Sequence, residues 1–322
     1  MLQGSSLTWR SVASFEVLRA RSQLYQQIRD FFVAREVWEV ETPILSRASV
    51  PEPMIAPFYT HYHAETVEPL FLQTSPELPM KRLLAGGSGA IFQICKVFRD
   101  GEAGTKHNPE FSLLEWYRPY FSLADLIQEI NELLQLVLAC PPVEVVNYCD
   151  VFQDYTGLHP LNTPLETLQY ATVTAGLVTH TPLDRDSCLQ FLMSQQVEPF
   201  IGQTCPTVVQ YFPATQAALA RKCPTNPQLA ARFEVYFKGM ELANGFHELA
   251  DPVEQRARFM EDLQRRAALN LPQHPIDENF LTALAMGLPD CAGVAIGLDR
   301  VLMLKVGVER IQQVLSFSID NA

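Results

Sequence analysis

The stretch RFEVYFKGMELANGFHEL, residues 232–249, sets apolar residues among polar ones and places Glu234, Glu241 and Glu248 seven residues apart. Short-period patterns rich in Phe, Val and Tyr mark β-strand. Asn244-Gly245 predicts a two-residue hairpin turn, because both positions accept φ > 0. That turn would pair Ala243 with Phe246, Leu242 with His247 and Glu241 with Glu248. Two carboxylates directly opposite each other repel, and a bound cation removes the penalty. Glu234 has the wrong parity for the same face in a regular strand. Lys238-Gly239 predicts a bulge that restores it. Three carboxylates are then expected to converge. The residues alone also fit a solvent-exposed acidic hairpin.

Two further segments carry chemistry. In KVFRDGEAGTKHNPEFSLLEWYRP (96–119), Arg99 follows an apolar strand and opens a loop containing Gly101 and Gly104. A returning strand begins near Glu110. A guanidinium at the base of such a hairpin can hold a phosphate through two parallel hydrogen bonds. His107 and Asn108 add donors, and Phe111 offers a ring for a purine. In GVAIGLDRVLML (293–304), Gly293 and Gly297 flank a short apolar strand, and Asp299 is expected to cap the helix that carries Arg300. Taken singly, these segments also fit a surface arginine in a loop and ordinary strand-to-helix packing. No P-loop run and no dinucleotide GxGxxG fingerprint occurs, so ATP, if bound, is held by other means.

The chain has 322 residues, 48% hydrophobic and 19% charged, enough for a sizeable core. Its net charge of −12 lacks the basic footprint of a nucleic-acid binder. Seven scattered cysteines without a CxxC pair predict thiols in a reducing cytoplasm, with no zinc site or disulfide framework. MLQGSSLTWR at residues 1–10 carries no apolar leader. No segment predicts a membrane span; LIQEINELLQLVLA (126–139) is too short and polar. Apolar spacings of three and four predict a helix over 15–35, and further helices are expected at 76–85, 122–139, 252–268, 277–287 and 299–306. Strands are expected at 37–46, 70–73, 90–98, 110–117, 207–212, 232–243 and 291–297. The result is an α+β fold, a largely antiparallel sheet flanked by helices, with about 140–206 as a peripheral insertion.

In order along the chain, ETP (41–43), LQTSPELPMKRLL (72–84), HNPEF (107–111), RFE…E…NGFHEL and GLDR resemble the catalytic core of class II lysyl-tRNA synthetases. The signatures TSPE…MKRLL, HNPEF…LLEWYRP, RFEVYFKGMELANGFHEL, LPQHPID (271–277) and GVAIG are more similar still to the paralogues of that family that modify elongation factor P. The resemblance implies one synthetase-like catalytic domain over 1–322, without the anticodon-binding OB-fold. It implies ATP and Mg²⁺, (R)-β-lysine or lysine as substrate, and elongation factor P as the protein acceptor. It also implies a homodimer built about Pro43, with tRNA not the acceptor.

Residue roles follow from the same resemblance. Arg99 and Arg300 are expected on the ATP phosphates as the catalytic cations. Asp100, Gly101, Glu102, His107, Asn108, Phe111, Glu241, Leu242 and Gly297 complete the nucleotide site. Glu234 and Glu241 are expected to bind the metal. Glu248 and Tyr117 match the pair that holds the side-chain ammonium. Ser75, Pro76, Glu77, Glu115 and Asn244 match positions around the substrate amino and carboxylate groups. Two departures from the synthetases stand out. Gly101 occupies the place of an adenine-reading glutamate, with Glu102 one position later, and Ala295 replaces a glycine. The alternatives are a truncated synthetase acting on tRNA and an inactive regulatory paralogue.

Overall fold

In the computed structural model, residues 9–62, 68–179 and 183–322 are described; the first eight residues of the stretch read above for a leader lie outside them. The elements open with α1 (Phe15–Val33), β1 (Trp38–Glu39), β2 (Leu45–Ser46), β3 (Tyr59–Thr60), β4 (Leu70–Leu72), α2 (Glu77–Ala85), β5 (Ile91–Phe98) and β6 (Glu110–Pro119). They continue with α3 (Leu123–Leu138), β7 (Glu144–Asn147), α4 (Tyr148–Thr156), α5 (Leu165–Thr174), α6 (Arg185–Leu192), β8 (Thr207–Gln210), β9 (Lys222–Cys223) and β10 (Asn226–Ala230). The last are β11 (Arg232–Phe237), β12 (Met240–His247), α7 (Pro252–Ala268), α8 (Glu278–Gly287), β13 (Cys291–Gly297) and α9 (Leu298–Val306). The chain divides into two units. One holds the residues up to Tyr117 with Asp251–Pro289 and Ile296–Ala322; the other holds Arg118–Ala250 and Asp290–Ala295.

In the first unit, β5 pairs antiparallel with β6 over eight registered residues, and β1 lies parallel to β5. The expected strand over 37–46 is two short strands, β1 and β2. Thr42-Pro43 separates them, and a proline has no N–H to give a ladder. Period-two alternation sorts the side chains of β5 and β6. Phe92, Ile94, Leu114 and Trp116 share one face. Phe32 of α1 covers it, stacked on Phe92 at 4.6 Å and tilted on Trp116 at 5.2 Å. Gln93, Cys95, Phe111, Glu115 and Tyr117 share the other. Helix α1 starts where the Ser14 side chain accepts from Val17 N–H, and it buries Leu24, Ile28, Phe31 and Phe32, the stripe expected from its spacing.

In the second unit, the strand order is β13-β12-β11-β8-β7, with β7 parallel to β8 and the β8–β11 and β11–β12 pairs antiparallel. The segment 140–206 supplies β7, α4, α5 and α6. Its core of Tyr148, Phe152, Leu168, Leu189 and Leu192 packs on Val209 and Tyr236 of the sheet. No disulfide is formed among the described residues. Among them, no helix is long and apolar enough to cross a membrane.

The turn expected at Asn244-Gly245 is not there. The chain reverses at Lys238-Gly239, whose φ values of 52° and 69° are those of a two-residue hairpin turn. Asn244 and Gly245 lie inside β12, opposite Glu234 and Phe233. Gly245 serves packing: a Cβ there would meet the Phe233 ring at 2.4 Å and Val294 Cβ at 3.1 Å. The bulge is displaced as well. Val235 pairs with Ala243 and Tyr236 with Glu241, which leaves Leu242 as the extra residue. Gly245→Ala should therefore destabilise the protein by about 1–3 kcal/mol through overpacking against a fully buried ring. Chemical denaturation checks this, and an unchanged midpoint would show that the Phe233 ring yields.

Candidate active site

The loop between β5 and β6 starts from a closed base, with Arg99 N–H donating to the Pro109 carbonyl at 2.9 Å. Gly101 has φ of 79°, a conformation that suits glycine, which accounts for its place in the loop. Three bonds tie the loop to the C-terminal segment. Ile311 N–H donates to Thr105 O at 2.8 Å, Gln312 Nε2 to Gly104 O at 3.1 Å, and Ile319 N–H to Asn108 Oδ1 at 3.1 Å. Asn108 is buried, and its Nδ2 donates to Glu110 O at 2.6 Å, so both ends of its amide hold the loop. Asp100 N–H donates to Ala56 O at 2.7 Å.

Two guanidiniums stand on this frame. The Arg99 guanidinium carbon lies 5.1 Å from the Phe111 ring centre, its Nη1 is 3.7 Å from Glu102, and its Nε donates to Thr74 O at 3.5 Å. Arg300, in the first turn of α9, reaches His107 Nε2 at 2.6 Å and Lys106 O at 3.4 Å. Partial desolvation first, then the Arg300 charge, lowers the His107 pKa. The ring therefore stays neutral near pH 7 and accepts from Arg300. Gly297 precedes α9 as its cap residue. Asp299, expected from the sequence to cap that helix, does not do so. Its side chain is drawn instead into a buried network: Arg21 Nη2 donates to Oδ1 at 2.5 Å and Ser112 N–H to Oδ2 at 2.6 Å.

Further along β6, on the same face as Phe111, lie Glu115 and Tyr117. The Tyr117 hydroxyl donates to Glu115 Oε1 at 2.6 Å, and both residues are buried. Four residues of strand separate Phe111 from Glu115, about 13 Å. Helix α2 opens on Ser75, Pro76 and Glu77. One turn on, Lys81 Nζ donates to Glu77 Oε1 at 2.6 Å and lies 6.0 Å from the Tyr117 ring centre. Burial, then the Glu115 charge, pushes the Cys95 thiol up to about 12, so it is no nucleophile here.

In the second unit, Glu234 is buried; Arg232 Nη2 donates to one oxygen and the Tyr236 hydroxyl to the other. Arg232 Nε also donates to Asn244 Oδ1 at 3.2 Å. The displaced bulge places Glu241 opposite Tyr236, on the face shared by Glu234 and Asn244, with Leu242 buried beside it. Glu248 is 2% exposed just past the strand, its N–H donating to Cys291 O at 3.0 Å. Among the described residues, no group of three His, Cys, Asp or Glu side chains is gathered for a metal, so the expected convergence of three glutamates does not occur. Two carboxylates on one face do fit Mg²⁺, which commonly takes one or two carboxylates and completes its shell with water and substrate phosphates.

A family model described as tRNA synthetases class II (D, K and N) matches residues 1–321. The chain belongs to the class II tRNA synthetase family. Among curated proteins it is 50% identical over 317 residues to an elongation factor P–(R)-β-lysine ligase of Haemophilus influenzae (strain PittGG), covering 98% of each chain. The protein of that name in Histophilus somni (strain 2336) matches equally, at 50% over 317 residues and 98% of each chain. That of Klebsiella pneumoniae (strain 342) is 48% identical over 321 residues, again 98% of each. The α+β architecture expected of a class II synthetase is the one observed.

Sequence reasoning passed over three residues that hold this frame. Lys81 was legible, since it stands four positions after Glu77 on a helix. Arg232 was legible two positions before Glu234. Arg21 had no signal, because its partner Asp299 is 278 residues away. Asp299→Asn keeps the shape and removes the charge that pairs with Arg21. Breaking a buried pair costs about 3–5 kcal/mol, so the denaturation midpoint should fall by that equivalent. A loss under about 1 kcal/mol, the worth of a surface pair, would show that Asp299 anchors nothing.

Proposed function

We propose that the chain activates (R)-β-lysine, and lysine less efficiently, with ATP, and transfers it to a lysine side chain of elongation factor P. The substrate carboxylate oxygen attacks the α-phosphorus of ATP, and pyrophosphate leaves. The ε-amine of the acceptor lysine then attacks the adenylate carbonyl, AMP leaves, and the amine gives up a proton. The product is an amide.

The observation that carries this reading is the order of groups on β5, β6 and α2. Phe111, suited to a purine, shares β6 and one face with Glu115 and Tyr117; Arg99, suited to a phosphate, follows β5 directly beside that ring, and Glu77 stands on α2. Cation and ring therefore lie at one end and carboxylates for an ammonium further along. Full-length relatives bearing the ligase name support the choice of substrate and acceptor.

In this reading Arg99 and Arg300 neutralise charge that grows on the phosphoryl oxygens. Preorganised donors of this kind are worth about 2.7–4 kcal/mol each in the transition state. Phe111 and Gly297 take the adenosine, with Asp100, Gly101, Glu102, His107 and Asn108 shaping the loop around it. Glu234 and Glu241, flanked by Leu242, would hold Mg²⁺, which supplies further charge neutralisation at the phosphates. Glu77, Glu115, Ser75, Pro76 and Asn244 read the substrate amino and carboxylate groups. Glu248 and Tyr117 take the distal ammonium. The whole of 1–322 acts as one catalytic domain with 140–206 at its periphery.

The active form in this reading is a cytoplasmic homodimer. Trp38, Leu45 and Tyr59 on β1, β2 and β3 are 55%, 45% and 66% exposed, large apolar surface of the kind an isologous interface covers. An acidic chain offers no general attraction to tRNA phosphates.

The test presents labelled (R)-β-lysine, ATP and Mg²⁺ with elongation factor P or with lysine tRNA, followed by mild base. Label should remain on elongation factor P as a base-stable amide. Base-labile charging of tRNA without protein labelling would overturn the reading in favour of a synthetase.

A further inference from the structure

Lys81 is 1% exposed, at the middle of α2, in a helix whose other buried residues are Leu78, Met80 and Leu84. A lysine is almost never buried so fully without a carboxylate partner. Here the partner is Glu77, one turn earlier, at 2.6 Å, with the Glu77 side chain 12% exposed. The aromatic face beside the ammonium belongs to Tyr117, whose hydroxyl is committed to Glu115.

The Lys81–Glu77 pair therefore lies beside the ring of Tyr117, whose hydroxyl is held by Glu115. A buried ammonium fixed on one oxygen of Glu77 restricts where that carboxylate can turn, and a carboxylate held in one place meets a cation without first being ordered.

We propose that Lys81 is a positioning residue for the amino-acid substrate: it holds Glu77 in the rotamer that meets the ammonium. This rests on the assignment of Glu77 to the substrate amino group made above. Lys81 itself touches no substrate. Its effect is transmitted through Glu77, so the two residues should behave as a unit.

The experiment measures KM for (R)-β-lysine and for ATP by pyrophosphate exchange in Lys81→Met, Glu77→Gln and the double variant, with thermal unfolding of each. Lys81→Met should raise KM for the amino acid roughly thirty-fold or more, the cost of truncating one partner of a buried charge pair, and leave KM for ATP nearly unchanged. The double variant should be no worse than Glu77→Gln, because a residue acting through Glu77 has nothing left to position. Losses that multiply in the double variant, or equal effects on both KM values, would mean a general packing role and overturn the proposal. If Lys81→Met does not fold, Lys81→Arg decides, since retaining the charge should retain most of the affinity; a loss as large as that of Glu77→Gln overturns it. If Glu77→Gln raises KM and Lys81→Met does not, only this inference falls. If Glu77→Gln itself leaves KM untouched, the reading of Glu77 falls with it.

Discussion

The Asp299 carboxylate, 1% exposed, is held from two sides within one unit, by Arg21 of α1 and by the Ser112 N–H of β6. Arg21 also donates to the Val314 carbonyl at 2.8 Å. One anion therefore joins α1, β6, α9 and the C-terminal segment. Arg300 is the next residue, so the same network fixes where its guanidinium starts. The C-terminal segment in turn holds the loop that carries Arg99, through Ile311, Gln312 and Ile319. Arg99 and Arg300 thus both depend on a buried charge that touches neither of them.

The β5–β6 pair shows why the chemistry falls where it does. One face is sealed by Phe32 stacking on Phe92 and Trp116, a dry contact that fixes the strand register. A one-residue slip would exchange every side chain between the faces. The register is thus what puts Phe111, Glu115 and Tyr117 together on the opposite face. Core packing and site geometry are two consequences of the same alternation.

Much of this was legible in the amino-acid order. Helix α1 announced itself through Leu24, Ile28, Phe31 and Phe32, and the long strands through their apolar runs. The family followed from motifs. The hairpin at 232–249 was misread for a physical reason. Asn-Gly is the strongest local turn signal, yet Gly245 is there because the Phe233 ring leaves no room for a Cβ. Lys238-Gly239, less favoured locally, takes the turn. The bulge at Leu242 could not be anticipated either, since it depends on which strand pairs where. Asp299 looked like a helix cap, and the distant Arg21 and Ser112 N–H explain its burial.

In the proposed reading the chemistry on this frame is activation of an amino acid by ATP, with Arg99 and Arg300 taking the phosphates and carboxylates taking the ammonium. Amino-acid-dependent exchange of labelled pyrophosphate into ATP tests that claim most directly. The account predicts exchange that requires (R)-β-lysine or lysine and is lost in Arg99→Ala while the fold is retained. Exchange that ignores the amino acid, or that survives at the wild-type rate in Arg99→Ala, would contradict it.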